Sequence, residues 1–272
     1  MDPRRRLQRS SVTLVFLLST MALSQVATST GAAASGGGQY PPAPTLAQQL
    51  AGFSPSQMAF YSSKVQALHS LAQARAGSRT IARPNVCIPG GCVPASHYSW
   101  HAIVWEGSND CACGPATAVE MYSSFTHYYG QPSSTPTLSA MESEMQYYGW
   151  YTCANGTWRT GLMREMNLHQ SPNPYVLEPI YSGTDVWNDT AIDVGLYNFP
   201  VGYDGQTDGP YGYVLPNYYG VNWGHYFPAY GYDQYSNVYV ADPHFAYNYG
   251  YSATAIYEFI ANFTLLSPQL VW

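Results

Sequence analysis

"NDCACGPATAVEMYSSF", residues 109–125, places two cysteines one residue apart, directly ahead of a Gly-Pro pair and a helix-like run. Pro115 suits the first turn of a helix, where a missing N–H costs nothing. Val119, Tyr122, Phe125 and Tyr129 then fall on one side at helical spacing, which predicts a helix over 114–129 ending near Gly130. Cys113 would stand at the N-cap or just inside it. Unpaired amides and the positive end of the helix dipole stabilise a thiolate there, and Gly114 leaves the sulfur uncrowded. A buried structural cysteine can begin a helix too, so this stretch alone admits both roles.

The chain holds five cysteines. Cys87 and Cys92 flank the turn in "CIPGGC" and are expected to pair with each other. A zinc half-site at that position lacks a second thiolate pair at suitable spacing. Cys111, Cys113 and Cys153 remain, an odd number. A Cys111–Cys153 bridge would tie the region before the first main helix to the segment after the second and leave Cys113 free. A Cys113–Cys153 bridge would remove the nucleophile, and Cys111–Cys113 would close a strained small ring.

The chain of 272 residues, 46% hydrophobic, is long enough for one large domain with an appendage. Arg4, Arg5, Arg6 and Arg9, the apolar stretch 12–27 and the small residues Ala32, Ala33 and Ala34 read as a signal peptide over 1–34, cut after Ala34. The competing reading is a retained anchor. Ser19, Thr20, Ser24 and Gln25 interrupt a stretch already short for a spanning helix, so no membrane association is expected after cleavage. Export outside the cell implies oxidising surroundings in which thiols pair.

Residues 35–44, "SGGGQYPPAP", form a Gly/Pro linker. Residues 45–83 are a basic segment, helical over 45–76 and split in two by Pro55. Residues 84–99 are expected to be an irregular loop around the first disulfide, and 100–272 the main domain. From residue 84 onward Arg159 and Arg164 face fifteen acidic side chains, whereas 35–83 carries Lys64, Arg75, Arg79 and Arg83 and no acid. An acidic body without a basic patch argues against nucleic acid. The basic segment is expected to dock on that body, either as a pro-segment covering a groove or as a structural arm. Most of the 26 tyrosines follow residue 97, which fits half-buried strands and grooves for peptides or polar polymers.

Further helices are predicted over 138–148, 159–168 and 184–197, the last capped by Thr184. "HYFPAYGYD" and "NVYVADP" alternate around a polar turn and read as a hairpin. "ATAIYEFIANF", 253–263, fits a strand or a helix equally. Helices first and antiparallel strands later give an α+β class.

A thiolate catalyst needs a proton partner, usually a histidine oriented by a carboxylate or amide. Of seven histidines, His69, His127 and His169 read as solvated. His97 and His101 lack the Glu of a zinc-protease helix and sit in a strand-like stretch. His225 opens "GHYFPAYGYD". If the turn is 233–236, residue pairs across the hairpin sum to about 469, so Asp242 lies opposite Phe227 and diagonal to His225. Diagonal neighbours are about 7–8 Å apart, within side-chain reach. His244, in "DPHF", is the reserve, placed beyond the strand end.

"CGPATAVEM", "GHYFPAYGYD" and "VYVADP" together resemble the three blocks of the bacteriocin-processing-type cysteine peptidases (double-glycine peptidase-like) and their secreted relatives, over about residues 100–263. These are papain-like enzymes. The resemblance implies a central helix carrying Cys113, packed on an antiparallel sheet. It implies Cys113 as nucleophile, His225 as general base then acid, and Asp242 as the residue that orients it. The Cys111-to-Cys153 spacing resembles the papain-type disulfide that begins just before the nucleophile. One position departs. The family usually has an oxyanion-binding Gln about six residues before the nucleophile; here Gly107 stands there, with Glu106 before it and Asn109 after. A carboxylate is a poor oxyanion donor unless protonated, which leaves the Asn109 amide and the Cys113 backbone N–H.

The expected function is therefore a secreted peptidase acting through a thioester acyl-enzyme on extracellular or cell-wall peptides, with no cofactor and no metal. Two alternatives stand beside it: an inactive module whose Tyr-rich grooves hold peptide or glycan, and a peptidoglycan amidase using the same chemistry.

Overall fold

Small and aromatic residues alternate along The computed structural model describes residues 43–76, 85–107 and 111–272. In chain order the elements are α1 (Leu46–Leu50), α2 (Pro55–Ala76), β1 (Val86–Ile88), β2 (Gly91–Val93), β3 (His97–Tyr98), α3 (Cys113–Tyr129), α4 (Leu138–Tyr147), β4 (Tyr151–Thr152), β5 (Gly156–Thr157), α5 (Arg159–His169), β6 (Leu177–Pro179), α6 (Gly183–Ile192), β7 (Val201–Gln206), β8 (Gly224–Tyr232), β9 (Asn237–Asp242), β10 (Tyr247–Ser252), α7 (Ala253–Ala261) and β11 (Gln269–Val271). The main sheet runs β10-β9-β8-β7-β11-β6, with β3 beside the far half of β8. Every pairing is antiparallel. The class is α+β.

Successive residues on a strand face opposite ways, and the two cores follow that rule. Val201, Tyr203, Phe227 and Ala229 pack with α2, α6 and α7 on one face. Tyr226 and Val271 join Tyr122, Phe125 and Leu162 of α3 and α5 on the other. Residues 113–125 of α3 are all buried, so this helix is central to its layer. It ends, as its sequence predicts, on Gly130, whose φ of 64° is a left-handed cap.

Several sequence expectations need correction. Pro55 does not break a helix but begins one, because Ser54 and Gln57 cap α2 reciprocally. Residues 84–99 are not irregular throughout: β1 and β2 form a hairpin with Cys87 opposite Cys92, and β3 extends the main sheet. α6 is capped by Ser182, which accepts from the Asp185 N–H, not by Thr184. Its continuation over Asp193–Tyr197 widens into a π-turn. The ambiguous 253–263 stretch is mostly helix α7, capped by Ser252, with Ile256, Phe259 and Ile260 buried at helical spacing.

The basic segment packs into the core on the α6/α7 side. Lys64 is fully buried, with Nζ 2.8 Å from Asp193 Oδ1. It also donates to Asn173 Oδ1 at 2.9 Å and lies 4.0 Å over the Trp272 ring. Arg75 stacks on Trp187 at 3.6 Å. Residues 1–42, with the predicted signal and most of the linker, and Arg79 and Arg83 lie outside the described residues. Among the described residues no helix is long and apolar enough to cross a membrane.

Candidate active site

Cys113 is the first residue of α3, preceded by Ala112, whose side chain offers no cap. The first-turn amides therefore keep their donors for whatever sits at the sulfur. Gly114 is obligatory: a Cβ there would stand 2.0 Å from Thr157 Oγ1, because β5 crosses directly over the helix start. Cys87 is bonded to Cys92 and Cys111 to Cys153, which leaves Cys113 free. The second bridge fixes the segment before α3 to the β4–β5 hairpin.

His225 and Asp242 meet across β8 and β9. Ala229 opposes Val240, the pairing that sums to 469, and a bulge shifts the register beyond it. His225 Nε2 donates to Asp242 Oδ1 at 3.0 Å. Its other nitrogen faces the Cys113 sulfur. Asp242 is wholly buried and is held from three sides. Tyr218 Oη donates to both carboxylate oxygens at 2.9 and 2.8 Å, and the His244 N–H donates to Oδ1 at 3.0 Å. Burial and the Asp242 charge keep the Tyr218 hydroxyl protonated far above the ordinary range.

These contacts set the protonation states. Burial works against charge on His225, but the Asp242 carboxylate and the Cys113 sulfur outweigh it and raise its pKa to about 10. Burial likewise opposes ionisation of Asp242, yet His225 and Tyr218 hold its pKa below the ordinary carboxylate value. At neutral pH the histidine is an imidazolium between carboxylate and sulfur. Its folded pKa, about 10, exceeds the ordinary 6.5 that it regains on unfolding. The stabilisation is therefore complete below pH 6.5 and drains away as pH rises toward 10. Urea midpoints of chelator-treated protein should fall over that window, and the fall should shrink in Asp242→Asn. An equal fall in both proteins would remove the imidazolium from the account.

Sequence reasoning missed three neighbours. Tyr218 comes from the turn Pro216–Tyr218. Glu106 is 5% exposed; its N–H donates to the Pro243 carbonyl at 3.0 Å and its Oε1 accepts from His244 Nδ1 at 2.7 Å. Glu106 Oε2 is buried without a hydrogen-bond partner. An oxygen of Glu106, the Cys113 sulfur and a His225 nitrogen lie within 4.8 Å of one another. The third, Glu120, accepts from the Val104 N–H at 2.9 Å, and burial lifts its pKa well above the usual range. Asn109, the expected oxyanion amide, lies outside the described residues.

A cavity of about 320 Å³ opens beside Cys113, with Trp223, Tyr226, Phe263 and Leu266 among its walls and no residue of α1 or α2. Arg159 and Asp204 stand in its lining as a buried ion pair, Nε to Oδ2 2.9 Å. The remaining histidines are engaged elsewhere. His101 stacks on Tyr230 at 3.8 Å, His97 bonds Asn198 at 2.7 Å, and His127 stacks on Trp100 at 4.6 Å. His169, expected to be merely solvated, pairs with Glu144 at 2.7 Å.

Comparison of the chain with family models, curated proteins and solved structures finds no match.

Proposed function

We propose that this chain is a secreted, papain-like cysteine peptidase that hydrolyses peptide bonds through Cys113, His225 and Asp242. The observation that carries the reading is the buried His225 imidazole, bonded to Asp242 at 3.0 Å and facing the free thiol at the start of α3. The Cys113 thiolate attacks the substrate carbonyl, forming a C–S bond, and the oxyanion collects on the Cys113 backbone N–H. His225 passes its proton to the leaving amine as the C–N bond breaks. Water then attacks the thioester, giving its proton back to His225, and the C–S bond breaks. Asp242 does not exchange protons. Fixed by Tyr218 and the His244 amide, it holds the imidazole in place and stabilises its charge. The two disulfides fit an oxidising compartment, and extracellular or cell-wall peptides are the proposed substrates.

Glu106 favours a second reading. A carboxylate near the nucleophile opposes a developing oxyanion, as in an inactive module that only binds peptide or glycan. Thiol labelling separates the two. Iodoacetamide should alkylate Cys113 at neutral pH, and His225→Ala should slow this sharply; an inert Cys113 supports the binding module. Assays on peptides and on cell-wall fragments distinguish a peptidase from a peptidoglycan amidase, which the same residues would also serve.

Glu106→Gln turns the opposing oxygen into an amide that can donate while its carbonyl still accepts from His244. An added oxyanion donor should raise kcat/KM at neutral pH by about tenfold or more. A rate that falls instead would mean that the Glu106 charge assists the chemistry.

A further inference from the structure

Three donors of different chemistry converge at the start of α3: the Cys113 sulfur, the free nitrogen side of His225 and the Glu106 carboxylate, within 4.8 Å of one another and all buried. Glu106 Oε2 is the telling atom. It is desolvated and has no hydrogen-bond partner, a state that costs free energy unless something binds it. Thiolate, imidazole and carboxylate are the ligand set that zinc accepts, at about 2.0–2.3 Å from the metal. Tetrahedral geometry at those lengths puts donors about 3.5 Å apart, so a short closing movement of side chains completes the site.

The surrounding contacts match those of zinc ligands. A metal-bound histidine usually gives its other N–H to a carboxylate, and His225 Nε2 already donates to Asp242. A ligating carboxylate is usually held through its second oxygen, and Glu106 Oε1 accepts from His244. Cys113 lines the cavity, which gives a metal ion a route in and leaves the fourth position to solvent.

We propose that Cys113, His225 and Glu106 form a reversible Zn²⁺ site that masks the nucleophile. The Cys113–His225 pair holds one proton between its two donors. Binding releases that proton to solvent, and the sulfur and nitrogen lone pairs then go to the metal. Removing the metal restores the reactive pair. The masking of catalysis rests on the hydrolase reading; the metal site itself does not.

Co²⁺ titrated into the purified, chelator-stripped protein tests the site without any substrate. One equivalent should produce the thiolate-to-cobalt charge-transfer band and the intense visible bands of four-coordinate cobalt. The charge-transfer band should vanish in Cys113→Ser, and Glu106→Gln should weaken binding at least tenfold. In the wild type one equivalent of Zn²⁺ should block iodoacetamide labelling of Cys113, and a chelator should restore it, a readout that needs no variant to fold. Absence of the band, a band that survives Cys113→Ser, or labelling unaffected by Zn²⁺ would overturn the site. A chain that binds cobalt as described yet hydrolyses nothing would retain the site and lose the hydrolase reading.

Discussion

Cys113→Ser should lower peptide hydrolysis by about 10⁴-fold or more while leaving the melting temperature nearly unchanged. The magnitude follows from the loss of a nucleophile whose partners act as a unit. A serine hydroxyl is not ionised at neutral pH, so the imidazolium next to it has no thiolate to pair with. Serine is close to cysteine in size, and at 8% exposure the site tolerates it without a large cavity. His225→Gln should lose as much, and the double variant no more than either single, because each already disables the same step. Initial rates measured alongside thermal unfolding check this. Full activity in Cys113→Ser would transfer the chemistry to another group.

The largest stability effect is expected at Lys64→Met. Its ammonium and the Asp193 carboxylate are both completely buried and 2.8 Å apart. Burial pushes Lys64 down and Asp193 up to about 6, and mutual attraction opposes both shifts. Removing one partner leaves a charge or a protonated acid in the core, a loss of about 3–5 kcal/mol. Urea denaturation should register that loss, and Asp193→Asn in the same chain should recover much of it, since neutral replacements of a buried pair are often tolerated. A cost below about 1 kcal/mol would mean that α2 does not hold the body together. The pair also bears on the role of the basic segment. α2 contributes Tyr61, Ala67 and Leu71 to the core on the α6/α7 side and nothing to the cavity lining. Deleting it should unfold the protein rather than unmask a groove.

Local signals were legible where a single element decided the outcome. Pro115, Gly130 and the apolar spacing between them define α3 without help from the rest of the chain. The alternation around Asp233 placed His225 and Asp242 on adjoining strands, and the register at Ala229–Val240 brought them together before the bulge could matter. Other features had no local signature. Tyr218 is one of 26 tyrosines, and only the folding of its turn over β9 puts its hydroxyl on Asp242. Glu106 and His244 are 138 residues apart in the chain and meet through a loop-to-loop contact. α7 was ambiguous because an apolar run reads alike in strand and helix; its Ser252 cap was the available clue. α6 began two residues before Thr184, where Ser182 competes as a cap with its own Asp185 three residues on. Expected boundaries drawn from composition also missed β3, a two-residue strand that depends entirely on β8 for its hydrogen bonds.

The central claim is that the Cys113 sulfur carries the acyl group. Mixing the protein with an activated peptide ester, quenching in acid within the first turnover and weighing the intact chain tests it directly. The account predicts a mass increase equal to the acyl group, mapped to the peptide containing Cys113, released by hydroxylamine and absent from His225→Ala. Hydrolysis that proceeds with no adduct on Cys113, or with an adduct on another residue, would contradict it.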